Sequence, residues 1–391
     1  MGFGSIRKYT LQMKKIAILG STGSIGKNCL VVARHLGANA IRVVALAAKS
    51  NIALLEEQAK EFHPELIAVF DEEAARQLQK KIPHIPVLAG IEGVEAVATH
   101  QQADLVISAM NGTIGLRPTI SAIRAKKNIG FATKEVLVSG GELVMNLVRE
   151  HGVSLIPIDS ELTALFQCLK GESTQAVHQL LITASGGPFR NYSDEQLNRV
   201  SVADALHHPN YRMGPKVTID SSTLMNKGLE MIEAHWLFQI PIENIKVVVH
   251  PQQIIHSMVE FVDNSLLAHM GDPNMLVPIQ YAMTYPARAP GLLKPFDFIK
   301  NHTLQFSMPD NDKFRCLQLA YYAIREGKSV PCYMNGANEV LVHLFLTKKI
   351  GWKEIGQKLE NLLSRHVAQP IRSFEDVIAI DQLARQEASS I

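Results

Sequence analysis

The sequence predicts an α/β protein with an N-terminal doubly wound sheet, a second α/β domain at its centre and a helical bundle at its C-terminus. Three observations carry that expectation. Through the first third, short apolar runs alternate with segments of helical apolar period, the rhythm of a parallel sheet covered on both faces. A glycine-rich stretch joins the first of those runs to the first helical segment, as in Rossmann-like folds. From Phe314 onward only helical periodicity remains.

The elements follow in order. Strands are expected at residues 16–19, 42–46, 66–69, 105–108 and 128–133, with helices such as IALLEEQAKEF between them. From about residue 155 the rhythm changes. LIPI, QLLITA, KVTID, KVVVHP and SLLAHM read as strands of the second domain, with a strong helix over 223–238. Proline is dense between Pro273 and Pro295, a linker signal. Beyond it FRCLQLAYYAIREGK, ANEVLVHLFLTKK and WKEIGQKLENLLSRH are helix-periodic. The expected divisions are a disordered extension over 1–12, a first domain over 13–154, a second over 155–290, a linker over 291–312 and a helical domain over 313–391.

Composition excludes several classes. The net charge is +2 and no block of like charge occurs, which argues against nucleic-acid and membrane-surface partners. No run approaches the roughly 18 apolar residues of a membrane span. The start, MGFGSIRKYTLQMKK, lacks the apolar stretch of a secretory signal. Cys29, Cys168, Cys316 and Cys332 are isolated, so neither a thiolate zinc site nor a disulfide scaffold is expected. A reducing, cytoplasmic compartment follows.

The glycine-rich stretch is ILGSTGSIGKN. A phosphate-binding P-loop needs four residues between its glycines, then Gly-Lys-Ser/Thr. Here five residues separate Gly20 from Gly26, and Asn28 follows Lys27. Gly20, Gly23 and Gly26 instead form GxxGxxG between a strand and a helix, which suits a dinucleotide pyrophosphate. A structural glycine-rich turn is the plainer alternative. At the end of the second strand, ALAAKSN carries no carboxylate for a ribose 2′-hydroxyl. Lys49 and Ser50 can meet a 2′-phosphate, so NADPH is favoured over NADH; a solvated lysine is the bland reading.

Acidic residues suggest a cation. In LIPIDSELTALFQ, Asp159 and Glu161 follow an apolar strand, and in extended chain residues two apart face the same way. Two such charges need a cation or a proton between them. Equally, Asp159 caps the next helix and Glu161 is a first-turn acid. In DSSTLMNKGLEMIEAHWLF, Glu230 lies beside the apolar stripe, pointing either into a cleft or into solvent. Ser221, Ser222, Asn226 and Lys227 gather at the start of that helix and make an anion site. Together these suggest a phosphorylated substrate bridged by an oxygen-liganded Mg²⁺, Mn²⁺ or Co²⁺. Between the two segments runs SGGPFRNYSDEQLNRVSVADALHHPNYRMGPK, a glycine-hinged lid in which Ser193 and Gln196 form a capping box. His207 and His208 sit near its far end.

GSTGSIG, ATKE, PIDSE, TASGGPFR, HPNYRMG, DSSTLMNKGLE, HPQQIIHSM and NGANE occur in this order. In that set the chain resembles the 1-deoxy-D-xylulose 5-phosphate reductoisomerases over essentially all of its length after Met13. The resemblance implies a cytoplasmic homodimer with an NADPH domain, a central catalytic and dimerisation domain and a helical C-terminal domain. It implies conversion of 1-deoxy-D-xylulose 5-phosphate to 2-C-methyl-D-erythritol 4-phosphate in isoprenoid precursor synthesis, by retro-aldol cleavage, re-aldolisation and hydride transfer from NADPH. Asp159, Glu161 and Glu230 match its metal ligands. Ser185, Ser221, Asn226 and Lys227 match its phosphate contacts, and Ser160, Lys134 and the lid residue His208 match further substrate contacts. Lys134, Glu161 and His208 take catalytic roles. Gly20, Thr22, Gly23, Ser24, Ile25, Gly26, Ala48, Lys49, Ser50, Asn51, Thr133, Glu135 and Gly214 match cofactor positions, and His256 a histidine important for activity. The chain departs from the usual pattern at Thr133, Leu162 and Tyr211, where asparagine, histidine and tryptophan are common.

Two rival readings remain. An aspartate-semialdehyde-type dehydrogenase needs a nucleophilic cysteine in a tight turn, whereas Cys29 and Cys168 fall in helical patterns. A non-catalytic NADPH-binding protein has no use for the carboxylates, the phosphate donors and the lid together.

Overall fold

The apolar run KKIAIL forms β1 (Lys14–Leu19), whose last four side chains are buried, and every strand of the first sheet lies parallel to it. The computed structural model describes residues 12–110, 112–207 and 213–391. The remaining strands of that sheet are β2 (Ile41–Ala48), β3 (Leu66–Val69), β4 (Val87–Ala89), β5 (Leu105–Ser108), β6 (Asn128–Phe131) and β7 (Leu155–Pro157). Their order is β4-β3-β2-β1-β5-β6-β7. The chain therefore winds outward from β1 in both directions, with a topological switch between β1 and β5. In open sheets of this kind ligands bind beyond the carboxyl ends of the strands at that crevice.

Two strands differ from expectation. LIPI, read as part of the second domain, supplies β7 at the edge of the first sheet. The crossover helix Lys134–His151 returns the chain parallel to β6 and pairs Phe131 with Pro157. The three-residue β4 carries no strand signal in the sequence, since only its first residue is even half-buried and no alternation develops.

A second sheet has the order β11-β10-β8-β9, from β8 (Val177–Ala184), β9 (Ile245–Val249), β10 (Ile255–Phe261) and β11 (Leu266–Met270). KVTID is not among its strands. It forms the helix Pro215–Ser222. Its β-branched residues favour a strand, but Pro215 at the first helical turn and Gly214 at the cap start a helix instead. The proline-dense stretch likewise holds a helix, Leu276–Thr284. Pro278 falls in its first turn, where an N–H would lack a partner anyway. Ile279, Ala282 and Met283 share a core with the first sheet, and the helix packs on Ser24–Leu36.

Four helices close the chain: Arg315–Glu326, Val330–Leu346, Trp352–Arg365 and Phe374–Ser389, the last not foreseen. The centre of the molecule is the Met225–Phe238 helix, which packs on both Lys134–His151 and Arg315–Glu326. Eleven of its residues are buried, including Asn226, Lys227, Glu230 and Glu233. Polar groups so deep must find partners. The extension expected over 1–12 lies, Gln12 apart, outside the described residues.

Candidate active site

The glycine turn opens directly from β1. Gly20 has φ +86°, and a Cβ at Gly26 would stand 2.5 Å from the Ser21 Cα. Side chains at these two points would push the helix Ser24–Leu36 off the strand. Thr22, Gly23, Ser24 and Ile25 line the turn at that helix N-terminus, the first and last half-buried and the middle two exposed. Ala48 ends the neighbouring β2, with Lys49 and Ser50 exposed beyond it. Asn51 caps the helix Ile52–Phe62 by accepting from the Leu54 N–H.

The carboxyl ends of β6 and β7 bring the next residues together. Thr133 is buried at the head of the helix Lys134–His151, and its hydroxyl donates to the Ser108 carbonyl at 3.2 Å. That bond ties the head of the helix to β5. Lys134 and Glu135 are the first two residues of that helix. Asp159 follows β7 and caps the helix Ser160–Cys168, accepting from the Glu161 N–H at 3.3 Å. The capping reading and the cluster reading of Asp159 thus both hold, one for each oxygen. Leu162 is wholly buried in the apolar core, which accounts for a leucine there.

The second domain supplies the opposite wall. Leu224, at φ +60°, joins Pro215–Ser222 to Met225–Phe238. This left-handed residue costs about 1 kcal/mol and turns the end of one helix against the start of the next. Gly187, also left-handed, brings the loop after β8 so close that a Cβ there would meet the Ser221 carbonyl at 2.7 Å. Ser185 and Ser221 are therefore brought to one wall with Asn226 and Lys227, though the Ser221 hydroxyl donates to Val217 and the Ser185 hydroxyl accepts from Gly187.

Asp159, Glu161 and Glu230 converge: one oxygen from each lies within 4.8 Å of the others. Two ammoniums sit among them. Lys134 Nζ reaches Asp159 at 2.7 Å, Glu230 at 2.8 Å and the Asn226 carbonyl oxygen at 3.0 Å. Lys227 Nζ reaches Glu161 at 2.5 Å and Glu230 at 2.6 Å. Ser160 donates to Glu161, and Asn226 to Glu230. Glu230 is only 1% exposed, which settles its direction in favour of the cleft. Burial opposes the Lys134 charge, but Asp159 and Glu230 outweigh it and hold its proton well above the usual lysine range. For Asp159 burial is outweighed by Lys134 and Lys227, so its carboxyl is held low. Burial, then the charge of Asp159, push Glu230 up to about 7. Three converging carboxylates, Glu161 and Glu230 buried and Asp159 half-buried, demand positive charge, and an all-oxygen set suits a hard divalent cation. The residues fit such an ion.

Three neighbours escaped the sequence reading. Lys216 joins Glu135 at 3.2 Å to Asp220 at 2.8 Å, linking the end of the lid, at Gly214, to the cofactor side. His269 stands 5.6 Å from His256, ring to ring, beside a cavity of about 180 Å³ that Ser160 also lines. Glu233 is 1% exposed and neither of its oxygens has a hydrogen-bond partner. Burial and then Asp159 push its carboxyl well up. Its signal was available, since Glu230 and Glu233 are three apart on one helix face. The lid keeps its Ser193–Gln196 capping box. His208 and Tyr211 lie outside the described residues.

Family models described as 1-deoxy-D-xylulose 5-phosphate reductoisomerase, its C-terminal domain, and DXP reductoisomerase C-terminal domain match residues 16–141, 155–238 and 270–387. A protein of that name from Protochlamydia amoebophila is 59% identical over 377 residues, covering 96% of this chain and 98% of its own. The chain belongs to the 1-deoxy-D-xylulose 5-phosphate reductoisomerase family. Among solved members, the Zymomonas mobilis enzyme in complex with NADPH has a TM-score of 0.91 at 40% identity, covering 97% of this chain and 99% of its own. Another, in complex with NADPH, fosmidomycin and magnesium, also has a TM-score of 0.91, at 37% identity over 97% and 98% of the two chains. Burial pushes the Cys29 and Cys168 thiols up to about 12 and 11, which keeps both protonated and unsuited to the nucleophile that a semialdehyde-type dehydrogenase requires.

Proposed function

We propose that this chain converts 1-deoxy-D-xylulose 5-phosphate to 2-C-methyl-D-erythritol 4-phosphate with NADPH and a divalent cation. The observation that carries this reading is the convergence of Asp159, Glu161 and Glu230 at the carboxyl ends of strands in the sheet that bears the GxxGxxG turn. The cation supplies Lewis-acid polarisation of substrate oxygens. NADPH supplies the hydride. Asp159, Glu161 and Glu230 hold the cation, and Lys134 stabilises negative charge that develops on substrate oxygen. Glu161, hydrogen-bonded to Ser160, moves protons between substrate oxygens. Ser185, Ser221, Asn226 and Lys227 grip the phosphate, which obliges Lys227 to loosen its hold on the carboxylates. That remote grip drives lid closure and excludes water. Gly20, Thr22 to Gly26, Ala48 to Asn51, Thr133, Glu135 and Gly214 seat the dinucleotide.

Cofactor, catalytic and helical units correspond to 13–154, 155–290 and 313–391 around a linker at 291–312, with β7 extending the first. The working form is a cytoplasmic homodimer. Its support is the edge strand β11, where Leu266, Leu267 and Met270 are exposed, together with exposed apolar side chains such as Ile299 in the linker. Such an edge invites pairing, and a second copy covers it. Among the described residues no helix is long and apolar enough to cross a membrane.

The test follows NADPH absorbance with 1-deoxy-D-xylulose 5-phosphate after chelation. Oxidation is expected only when Mg²⁺, Mn²⁺ or Co²⁺ is restored. Asp159→Asn is expected to lower turnover about a thousandfold, the scale of one lost electrostatic stabiliser, while NADPH still binds. No oxidation under any divalent cation contradicts the reading.

A further inference from the structure

Lys134 makes three hydrogen bonds, to Asp159, Glu230 and Asn226, and an ammonium has three hydrogens to give. Two of those acceptors are carboxylates of the cation cluster. A divalent ion placed among them takes their lone pairs and repels the ammonium beside it. Lys134 begins its helix, so its backbone stays fixed while its side chain swings.

A receiver stands nearby. Glu233 lies one turn beyond Glu230 on the same helix, 1% exposed, with both oxygens unpartnered. Its helix packs on the one that Lys134 begins, and the charges of Asp159 and Lys134 both act on it, so it lies beside the same cluster. The other acids close by are already engaged. Glu135 and Asp220 both bind Lys216, and Asp220 also accepts from Asn338. An unpartnered buried carboxyl is costly, and a glutamine or leucine avoids a charge there. The cost is offset in any state that brings an ammonium alongside.

We propose that Glu233 is a positioning residue that receives the Lys134 ammonium when a divalent cation occupies Asp159, Glu161 and Glu230. Cation entry and lysine transfer are then one exchange. Lys134 remains charged and held at the cluster instead of competing with the ion for its ligands. This inference rests on the proposed cation site.

Mn²⁺ binding measured by calorimetry on four purified chains tests it: the natural protein, Glu233→Gln, Lys134→Met and the double variant. Without a receiver, Lys134 keeps its grip on the ligands. Glu233→Gln is therefore expected to weaken Mn²⁺ binding about tenfold when Lys134 is present and less than about twofold when it is absent. Equal losses in both backgrounds reveal a merely structural role and overturn the proposal, as does no loss in either. If the natural chain takes up no Mn²⁺, the cation site falls and this inference with it. If Glu233→Gln does not fold, a Mn²⁺-soaked crystal of the natural chain decides. Lys134 Nζ within hydrogen-bonding distance of Glu233 supports the exchange; Lys134 still on Asp159 and Glu230, or turned elsewhere, overturns it.

Discussion

His256 sits on β10, 6% exposed, where burial and then the charge of Lys227 push its imidazole down to about 4. An unfolded histidine titrates near about 6.5, so the unfolded chain takes the proton first. Stability from this group is full above the unfolded value and is lost as pH falls toward the folded one. The gap corresponds to about 3 kcal/mol. His256→Asn is expected to lose that much less stability than the natural chain between pH 7 and pH 4, measured by urea unfolding; equal acid sensitivity contradicts a buried neutral ring. At this scale the sequence was readable where chemistry is local. Asp159 and Glu161 stand two apart, and Ser193 and Gln196 three apart, so spacing alone suggested their geometry. The ties of Lys227 to Glu161 and of Lys134 to Glu230 span 66 and 96 residues. No periodicity encodes such pairings, because they depend on how distant helices pack on one another.

The glycine turn shows what an element adds. A Cβ at Gly26 would stand 2.5 Å from a backbone carbon of Ser21, where no side-chain rotation relieves the contact. Gly26→Ala is expected to cost about 2 kcal/mol of stability and to weaken NADPH binding by displacing the helix N-terminus. Thermal unfolding and cofactor titration check both, and an unchanged chain contradicts the close-approach argument. The turn was legible because glycine spacing, strand and helix agreed with one another. KVTID was misread because intrinsic β preference and a cap signal conflicted, and the Gly214-Pro215 cap prevailed. β10 breaks the alternation expected of a strand because its run, IHSMVEF, places polar His256 and Ser257 side by side, and both are buried.

For the whole molecule, the α/β architecture was legible because alternation and turn signals persist over long stretches. The packing of Leu276–Thr284 on the first sheet was not, since it follows from tertiary contact rather than pattern. The exposed apolar side chains of β11 and the linker carry their own expectation. Ile299, 86% exposed, and Leu267, 44% exposed, are apolar side chains in water in the single chain. The double variant Leu267→Lys, Ile299→Glu is expected to sediment as a monomer where the natural chain sediments as a dimer; a monomeric natural chain contradicts the proposed assembly. The proposed chemistry depends on three acids from two well-separated stretches of the chain, Asp159 with Glu161 and, on the central helix, Glu230. Anomalous diffraction from a crystal soaked with Mn²⁺ locates the ion directly. One peak per chain, bonded to Asp159, Glu161 and Glu230, is the predicted result; a peak elsewhere, or Lys134 and Lys227 still filling the cluster at saturating Mn²⁺, would contradict it.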